Sequence, residues 1–157
     1  MIVYHTSKII VEKPDIQHSR SNLDFGRGFY VTKLRSQALK YADRFILRKQ
    51  DAVLNAYELS DNWLNMNVKR FDQYDEEWLD FIIANRKGLP VAKFDMVEGG
   101  VANDKIFRTL ELYFNGDISK SDALKKLRYE KINHQICFLS QYAIDLNLNF
   151  ISSEDLQ

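Results

Sequence analysis

Short runs rich in β-branched and aromatic residues recur along the chain, and each of them predicts a strand. These runs lie at residues 2–5, 29–32, 52–59, 94–97 and 135–139. Gly99 and Gly100 are expected to break the fourth strand, because paired glycines favour turns. Gly26 and Gly28 precede the second strand and permit backbone conformations that other residues avoid.

Apolar residues three or four positions apart predict amphipathic helices between these strands. The predicted helices cover residues 36–50, 75–87, 103–114 and 121–129. Ser36 is expected to cap the first helix, and Asn103 or Asp104 the third. This mixture of elements predicts an α+β fold, with a doubly wound α/β fold as the alternative. The 157 residues are expected to form one domain.

The charge balance of the chain limits which classes of partner it can attract. With 22 basic and 22 acidic residues the formal net charge is zero, so any contact with nucleic acid needs a local basic patch. The basic cluster Lys125, Lys126 and Arg128 lacks interleaved aromatics, and a solvated helix face is the favoured interpretation. No apolar run approaches the roughly twenty residues that cross a bilayer, and the first residues lack a signal-peptide pattern. We therefore expect a cytoplasmic protein without a membrane role.

The metal-ligating residue types are scattered. One cysteine and three histidines stand at Cys137, His5, His18 and His134. They lack the paired spacing of a zinc site, so no metal is expected. Cys137 lies between apolar residues of a predicted strand and is interpreted as buried packing.

Two tyrosines are candidates for a ligand site. Tyr30 lies on the predicted strand that follows the glycine turn, and Tyr41 lies on the next helix. Two aromatic rings on different elements can sandwich a flat heteroaromatic group. Two core tyrosines beside a tight turn would produce the same pattern, so both interpretations stay open at this point.

Residues 25–31 read Phe-Gly-Arg-Gly-Phe-Tyr-Val and resemble the Phe-Gly-Lys-Gly-Ile-Tyr-Phe segment of the poly(ADP-ribose) polymerase-like branch of the ADP-ribosyltransferase superfamily. The resemblance implies that Tyr30 and Tyr41 enclose the nicotinamide ring of NAD, with Gly28 beside it. The segment Tyr-His-Thr-Ser at 4–7 is similar to the first strand of that branch. It implies that His5 bonds a ribose hydroxyl and that the backbone of Thr6 holds the carboxamide.

A second resemblance extends over nearly the whole chain. Arg20, the segment 24–30, the segment 95–104 and the Asn-His-Gln-Ile segment at 133–136 are similar to an uncharacterised bacterial family, DUF3990, that is grouped with the ADP-ribosyltransferases. It implies a split antiparallel β-sheet with flanking helices and NAD as substrate. It also implies transfer of ADP-ribose to a macromolecular acceptor or to water, and a role as a bacterial toxin with an antitoxin partner. Arg20 is then a phosphate ligand or a member of a structural ion pair.

Gln135 stands where active members of that superfamily have a glutamate. A glutamine accepts a hydrogen bond but carries no charge to stabilise the cation that forms when the glycosidic bond breaks. Glu98 and Asp104 are candidates to replace that carboxylate. Two hypotheses follow: an enzyme in which His5, Tyr30 and Gln135 are catalytic, or a non-catalytic module that binds NAD, ADP-ribose or a protein.

Overall fold

The computed structural model describes all 157 residues and contains seven strands, five α-helices and one 3-10 turn. The strands are β1 (Ile2–Ser7), β2 (Phe29–Val31), β3 (Val53–Leu59), β4 (Val68–Arg70), β5 (Met96–Gly100), β6 (His134–Phe138) and β7 (Leu148–Asp155). The helices are α1 (Arg35–Ile46), α2 (Glu76–Arg86), α3 (Asp104–Phe114), α4 (Lys120–Leu127) and α5 (Gln141–Asn147), and the 3-10 turn is Asp61–Asn65. The α+β prediction is confirmed.

The strands form two sheets, which are joined by backbone hydrogen bonds at one point. Sheet A has the order β1-β3-β7, and sheet B has the order β2-β6-β5-β4. Only the β4–β5 pair is parallel. The sheets meet at a bridge between Tyr4 and Thr32, whose backbone amides donate to each other's carbonyls at 2.8 and 2.9 Å. Beyond this bridge β1 and β2 diverge.

Alternating residues of sheet B face two separate cores. Phe29, Val31 and Ile136 face the inter-sheet core, which also contains residues of sheet A and α5. Tyr30 and Cys137 face the helix-side core, which contains residues of α2, α3 and α4. Helix α1 lies against sheet A instead, where the hydroxyl of Thr6 donates to the carbonyl of Ala38 at 2.7 Å. This alternation determines which side chains of β2, β5 and β6 share a face.

The predicted cap of α1 is wrong. The helix begins one residue before Ser36, and its N-cap position is Leu34, which makes no side-chain cap. The amide of Leu34 donates to Thr32 Oγ1 at 3.1 Å, and this turn at the end of β2 sets where the helix starts. The helix also ends earlier than predicted, since the backbone turns at Lys49, which has a φ of 54°.

Gly99 and Gly100 lie inside β5, so the prediction that they break this strand is also wrong. A Cβ on Gly100 would lie 2.4 Å from the ring of Tyr74, and one on Gly99 would lie 3.1 Å from Cβ of Phe71. The glycines therefore let aromatic side chains approach the bare strand, a recognised use of glycine within sheets.

Three elements were not predicted. Strand β4 has three residues, α5 has seven, and β7 is exposed along most of its length, so none shows a clear hydrophobic period. No helix in the structure combines the length and the apolar character needed to cross a membrane.

The contact between Gly100 and Tyr74 can be tested by substitution. Gly100→Ala should destabilise the fold by about 2–3 kcal/mol, because the Tyr74 ring is held by the bond from its hydroxyl to the Val101 carbonyl. In a Tyr74→Leu background the same change should be markedly less costly. Urea denaturation of the four proteins measures both values, and equal costs in the two backgrounds would contradict the packing explanation.

Candidate functional site

His5 occupies the place where β1 and β2 diverge. Its Nδ1 lies 2.8 Å from the Tyr30 carbonyl oxygen, and its ring centroid lies 4.4 Å from that of Phe29. A carbonyl oxygen only accepts, so Nδ1 carries the proton. Burial lowers the pKa of His5, which keeps the ring neutral. Nε2 is therefore a hydrogen-bond acceptor without a partner in the structure.

This bond leaves the backbone of Thr6 without a strand partner. The amide and carbonyl of Tyr4 bond to Thr32, and groups two residues further along an antiparallel strand point to the same edge. The N–H and C=O of Thr6 therefore point toward β2, where Tyr30 would be the next partner. The Tyr30 carbonyl bonds to His5 instead. One backbone donor and one backbone acceptor thus stand at the gap between the strands.

The ring of Tyr30 lies beside this gap on the helix-side face of sheet B. Its hydroxyl donates to the Gly26 carbonyl at 2.6 Å and accepts from the Phe25 amide at 3.1 Å. Phe25 lies nearly parallel to it, with centroids 6.2 Å apart. Burial raises the pKa of Tyr30, and the neighbouring Cys137 raises it further, so the phenol stays protonated. The half-buried ring, and not the hydroxyl, is the part that can contact a ligand.

The loop before Tyr30 is held by contacts that the sequence analysis missed. Asp24 Oδ1 accepts from Nε and Nη2 of Arg86, at the end of α2, at 2.8 and 2.6 Å. Gly26 has a φ of 95°, which favours glycine, and lies against the buried Asn85. The sequence motif includes Asp24 and Gly26, but only the fold shows that helix α2 supplies their partners.

Gly28 has a packing role. A Cβ there would lie 2.4 Å from the Phe138 carbonyl oxygen and 2.6 Å from Sγ of Cys137. Cys137 itself is buried and its pKa is raised by burial, in agreement with the predicted inert thiol. Strand β2 can therefore approach β6 only with glycine at position 28.

Gln135 shares the face of Tyr30. The pairing of Val31 with Ile136, continued by one residue, places Gln135 opposite Thr32. Its partner on the other side is Gly99, which has no side chain. The side chain of Gln135 is half-buried and has no hydrogen-bond partner in the protein, so its amide is free to bind a ligand.

Glu98 belongs to the other face of the sheet. It is paired with Ile136, which faces the inter-sheet core, and its carboxylate bonds Lys33 at 2.6 Å and Arg70 at 3.3 Å. Its side chain is only 13% exposed. The structure does not bring Glu98 to Gln135, and Glu98 neutralises two cations instead.

Asp104 and Tyr41 stand further out. Asn103, and not Asp104, caps α3 by accepting from the amides of Lys105 and Ile106. Asp104 is exposed and lies 3.6 Å from Arg44 of α1. The ring of Tyr41 is exposed, and the Arg44 guanidinium lies 5.1 Å from its centroid. Tyr41 and Tyr30 make no direct aromatic contact.

Arg20 is exposed and forms no ion pair in the structure, so the structural ion pair considered for it is not present. The predicted site residues thus form two groups. His5, Thr6 and Tyr30 lie at the gap between β1 and β2, and Gln135 shares the sheet face of Tyr30 next to it. Gly28 packs against β6, Tyr41 and Asp104 stand on α1 and α3, and Arg20 lies in the loop before β2.

Comparison with known protein families gives a match over most of the chain. A family model described as "Protein of unknown function (DUF3990)" matches residues 1–150. The chain belongs to the DUF3990 family. Neither the curated proteins nor the solved structures provide a match to it. In this DUF3990 protein, no three His, Cys, Asp or Glu side chains are grouped as a metal site.

The neutral state of His5 predicts a pH dependence. The unfolded DUF3990 chain binds a proton at His5 near the ordinary pKa of 6.5, and the folded protein binds it only at lower pH. The unfolded state then carries more protons, so the free energy of unfolding should fall as pH falls below 6.5.

In His5→Gln this part of the decline should be absent, because the Gln amide still donates to Tyr30 but does not titrate. Urea unfolding between about pH 7 and pH 5 measures it. The exposed His134→Gln is the matched control for loss of one imidazole. A His5→Gln profile parallel to the parent's would contradict the assignment.

Proposed function

We propose that this protein binds NAD at the gap between β1 and β2, with the nicotinamide ring against Tyr30. The observation that carries the proposal is the pair of Thr6 backbone groups that His5 leaves unpartnered. A carboxamide has one carbonyl acceptor and one amide donor, so it complements one N–H and one C=O on a strand. The half-buried ring of Tyr30 beside this edge supplies a stacking surface.

The remaining gap residues suit the adjoining ribose. Nε2 of neutral His5 accepts a hydrogen bond from a hydroxyl group, and the free amide of Gln135 accepts another through its carbonyl oxygen. Both groups sit on paired strands, so their positions are fixed before the ligand arrives. Resemblance to the ADP-ribosyltransferases supports the same arrangement.

The reaction we propose is cleavage of the bond between nicotinamide and ribose. The bonding electrons leave with the ring nitrogen, which becomes neutral nicotinamide, and positive charge develops at the ribose carbon. A nucleophile of the acceptor, or water, forms the new bond at that carbon and releases a proton. Gln135 orients the ribose through its hydrogen bond, and Tyr30 and Thr6 orient the leaving group.

On the resemblance alone, we extend the proposal to a macromolecular acceptor and to a toxin paired with an antitoxin protein. The zero net charge gives no general attraction to nucleic acid, so a protein acceptor is the simpler case.

Binding tests the site directly. Tyr30→Ala should weaken NAD binding at least about tenfold in a calorimetric titration, because it removes the stacking surface. Tyr142→Ala, which removes an exposed tyrosine of α5, is the matched control and should bind like the parent. Circular dichroism checks that both variants are folded. Equal affinity of Tyr30→Ala and parent for NAD would contradict the proposed site.

A second candidate function is a module that binds NAD or ADP-ribose without turnover. It is favoured by the neutral Gln135 together with Glu98, whose carboxylate is committed to Lys33 and Arg70 on the opposite face. The Glu98 carboxylate is therefore not available beside Gln135 to stabilise a developing cation.

Gln135→Glu separates the two functions. Chromatography measures the nicotinamide that each protein releases from NAD. If the parent is an enzyme, it should release nicotinamide, and Gln135→Glu should release it faster. The reason is that a carboxylate stabilises a developing cation on the ribose more strongly than an amide dipole does. A silent parent and an active variant would assign the binding module. Gln17→Glu, at an exposed glutamine whose side chain makes no hydrogen bond in the protein, is the control for the added charge. Release by neither protein, with NAD bound, would contradict the cleavage reaction.

A further inference from the structure

Arg44 forms an ion pair that connects α1 to α3, one of the helices that cover sheet B. Its Nη2 lies 3.6 Å from Oδ1 of Asp104, the first residue of α3. The other polar contacts of α1 go to sheet A or to the end of β2: Arg35 pairs with Glu154 of β7, and the Ala38 carbonyl accepts from Thr6. Arg44 therefore reaches across from one half of the molecule to the other.

The partners of Arg44 hold it weakly. The Arg44 side chain is 58% exposed and that of Asp104 is 99% exposed, so water competes for both charges. The guanidinium also lies over the exposed ring of Tyr41, 5.1 Å from its centroid. A highly charged ligand group can therefore replace the contacts of Arg44 with Asp104 and Tyr41 at a small cost in free energy.

Three other cations of this region are bound within the protein, whereas Arg20 is exposed and forms no ion pair. Arg86 is bound by Asp24 with both side chains largely shielded, and Lys33 is bound by Glu98. Arg27 donates to the backbone carbonyl of Ser19. Arg44, on the same helix as Tyr41, combines a weak partner with a position between α1 and α3.

We infer that Arg44 binds the diphosphate of a dinucleotide by exchanging Asp104 for it. The inference rests on the proposed function, because NAD with its nicotinamide at Tyr30 must extend outward from the gap. A guanidinium binds phosphate oxygens with two parallel hydrogen bonds, which an exposed carboxylate at 3.6 Å does not match. Asp104 is then a competitor that holds Arg44 in the free protein, and not a ligand-binding residue.

The exchange gives the two partners of one ion pair opposite effects. Arg44→Gln should weaken ADP-ribose binding about tenfold, because one charge-assisted contact is lost. Asp104→Asn should tighten it by up to about fivefold, because Arg44 no longer has to leave a carboxylate. Neither change should alter binding of nicotinamide alone, which has no phosphate. Calorimetric titration with the two ligands measures all four effects.

Arg35→Gln and Glu154→Gln are matched controls, since they break an exposed ion pair of the same helix. Both should bind ADP-ribose like the parent. If Arg44→Gln and Asp104→Asn shift the affinity for ADP-ribose in the same direction, or not at all, while the parent binds NAD more tightly than Tyr30→Ala does, the exchange is overturned and the proposed site stands. If the parent binds neither ADP-ribose nor NAD, the proposed function falls and the inference with it.

Discussion

The hydrogen bond between His5 Nδ1 and the Tyr30 carbonyl is the contact on which the candidate site depends. In an uninterrupted sheet that carbonyl would pair with the backbone of Thr6, two residues beyond the bridge at Tyr4. The imidazole satisfies it instead, so β1 and β2 separate without leaving a buried carbonyl unpaired. A split in a sheet normally exposes costly polar groups, and here a single ring satisfies one of them while the backbone groups of Thr6 stay without a strand partner.

The alternation of side chains across sheet B determines on which face each of the other candidate site residues lies. Tyr30 and Gln135 lie on the face of sheet B that packs against the helices. Glu98 lies on the opposite face, where it pairs with Lys33 and Arg70. A shift of one residue in β5 would exchange Glu98 with a glycine and place the carboxylate beside Gln135. The register of β5 and β6 thus keeps the Glu98 carboxylate off the sheet face that carries Gln135.

Sequence patterns predicted most of the fold and the motif residues, for physical reasons that can be stated. The helix at 103–114 has a strong period because its two faces differ in burial, whereas the strands 29–32 and 135–139 are short apolar runs that pack on both faces. The predicted strand break at Gly99 and Gly100 is wrong because a glycine that admits the Phe71 and Tyr74 rings looks the same in sequence as a glycine in a turn. Family membership agrees with the resemblance, which identified the family but not its chemistry.

The contacts between distant segments could not be predicted. Asp24 and Arg86 are 62 positions apart, and Arg44 and Asp104 come from different halves of the chain, so no local pattern connects them. The resemblance implied a role for the Thr6 backbone, but only the fold shows that His5 takes the strand partner of Thr6.

A crystal structure of the protein with NAD tests the central claim most directly. The account predicts a nicotinamide ring, or released nicotinamide, stacked on Tyr30, with its carboxamide bonded to the amide and carbonyl of Thr6. A dinucleotide bound elsewhere, with β1 and β2 unchanged and the Thr6 backbone solvated, would contradict it.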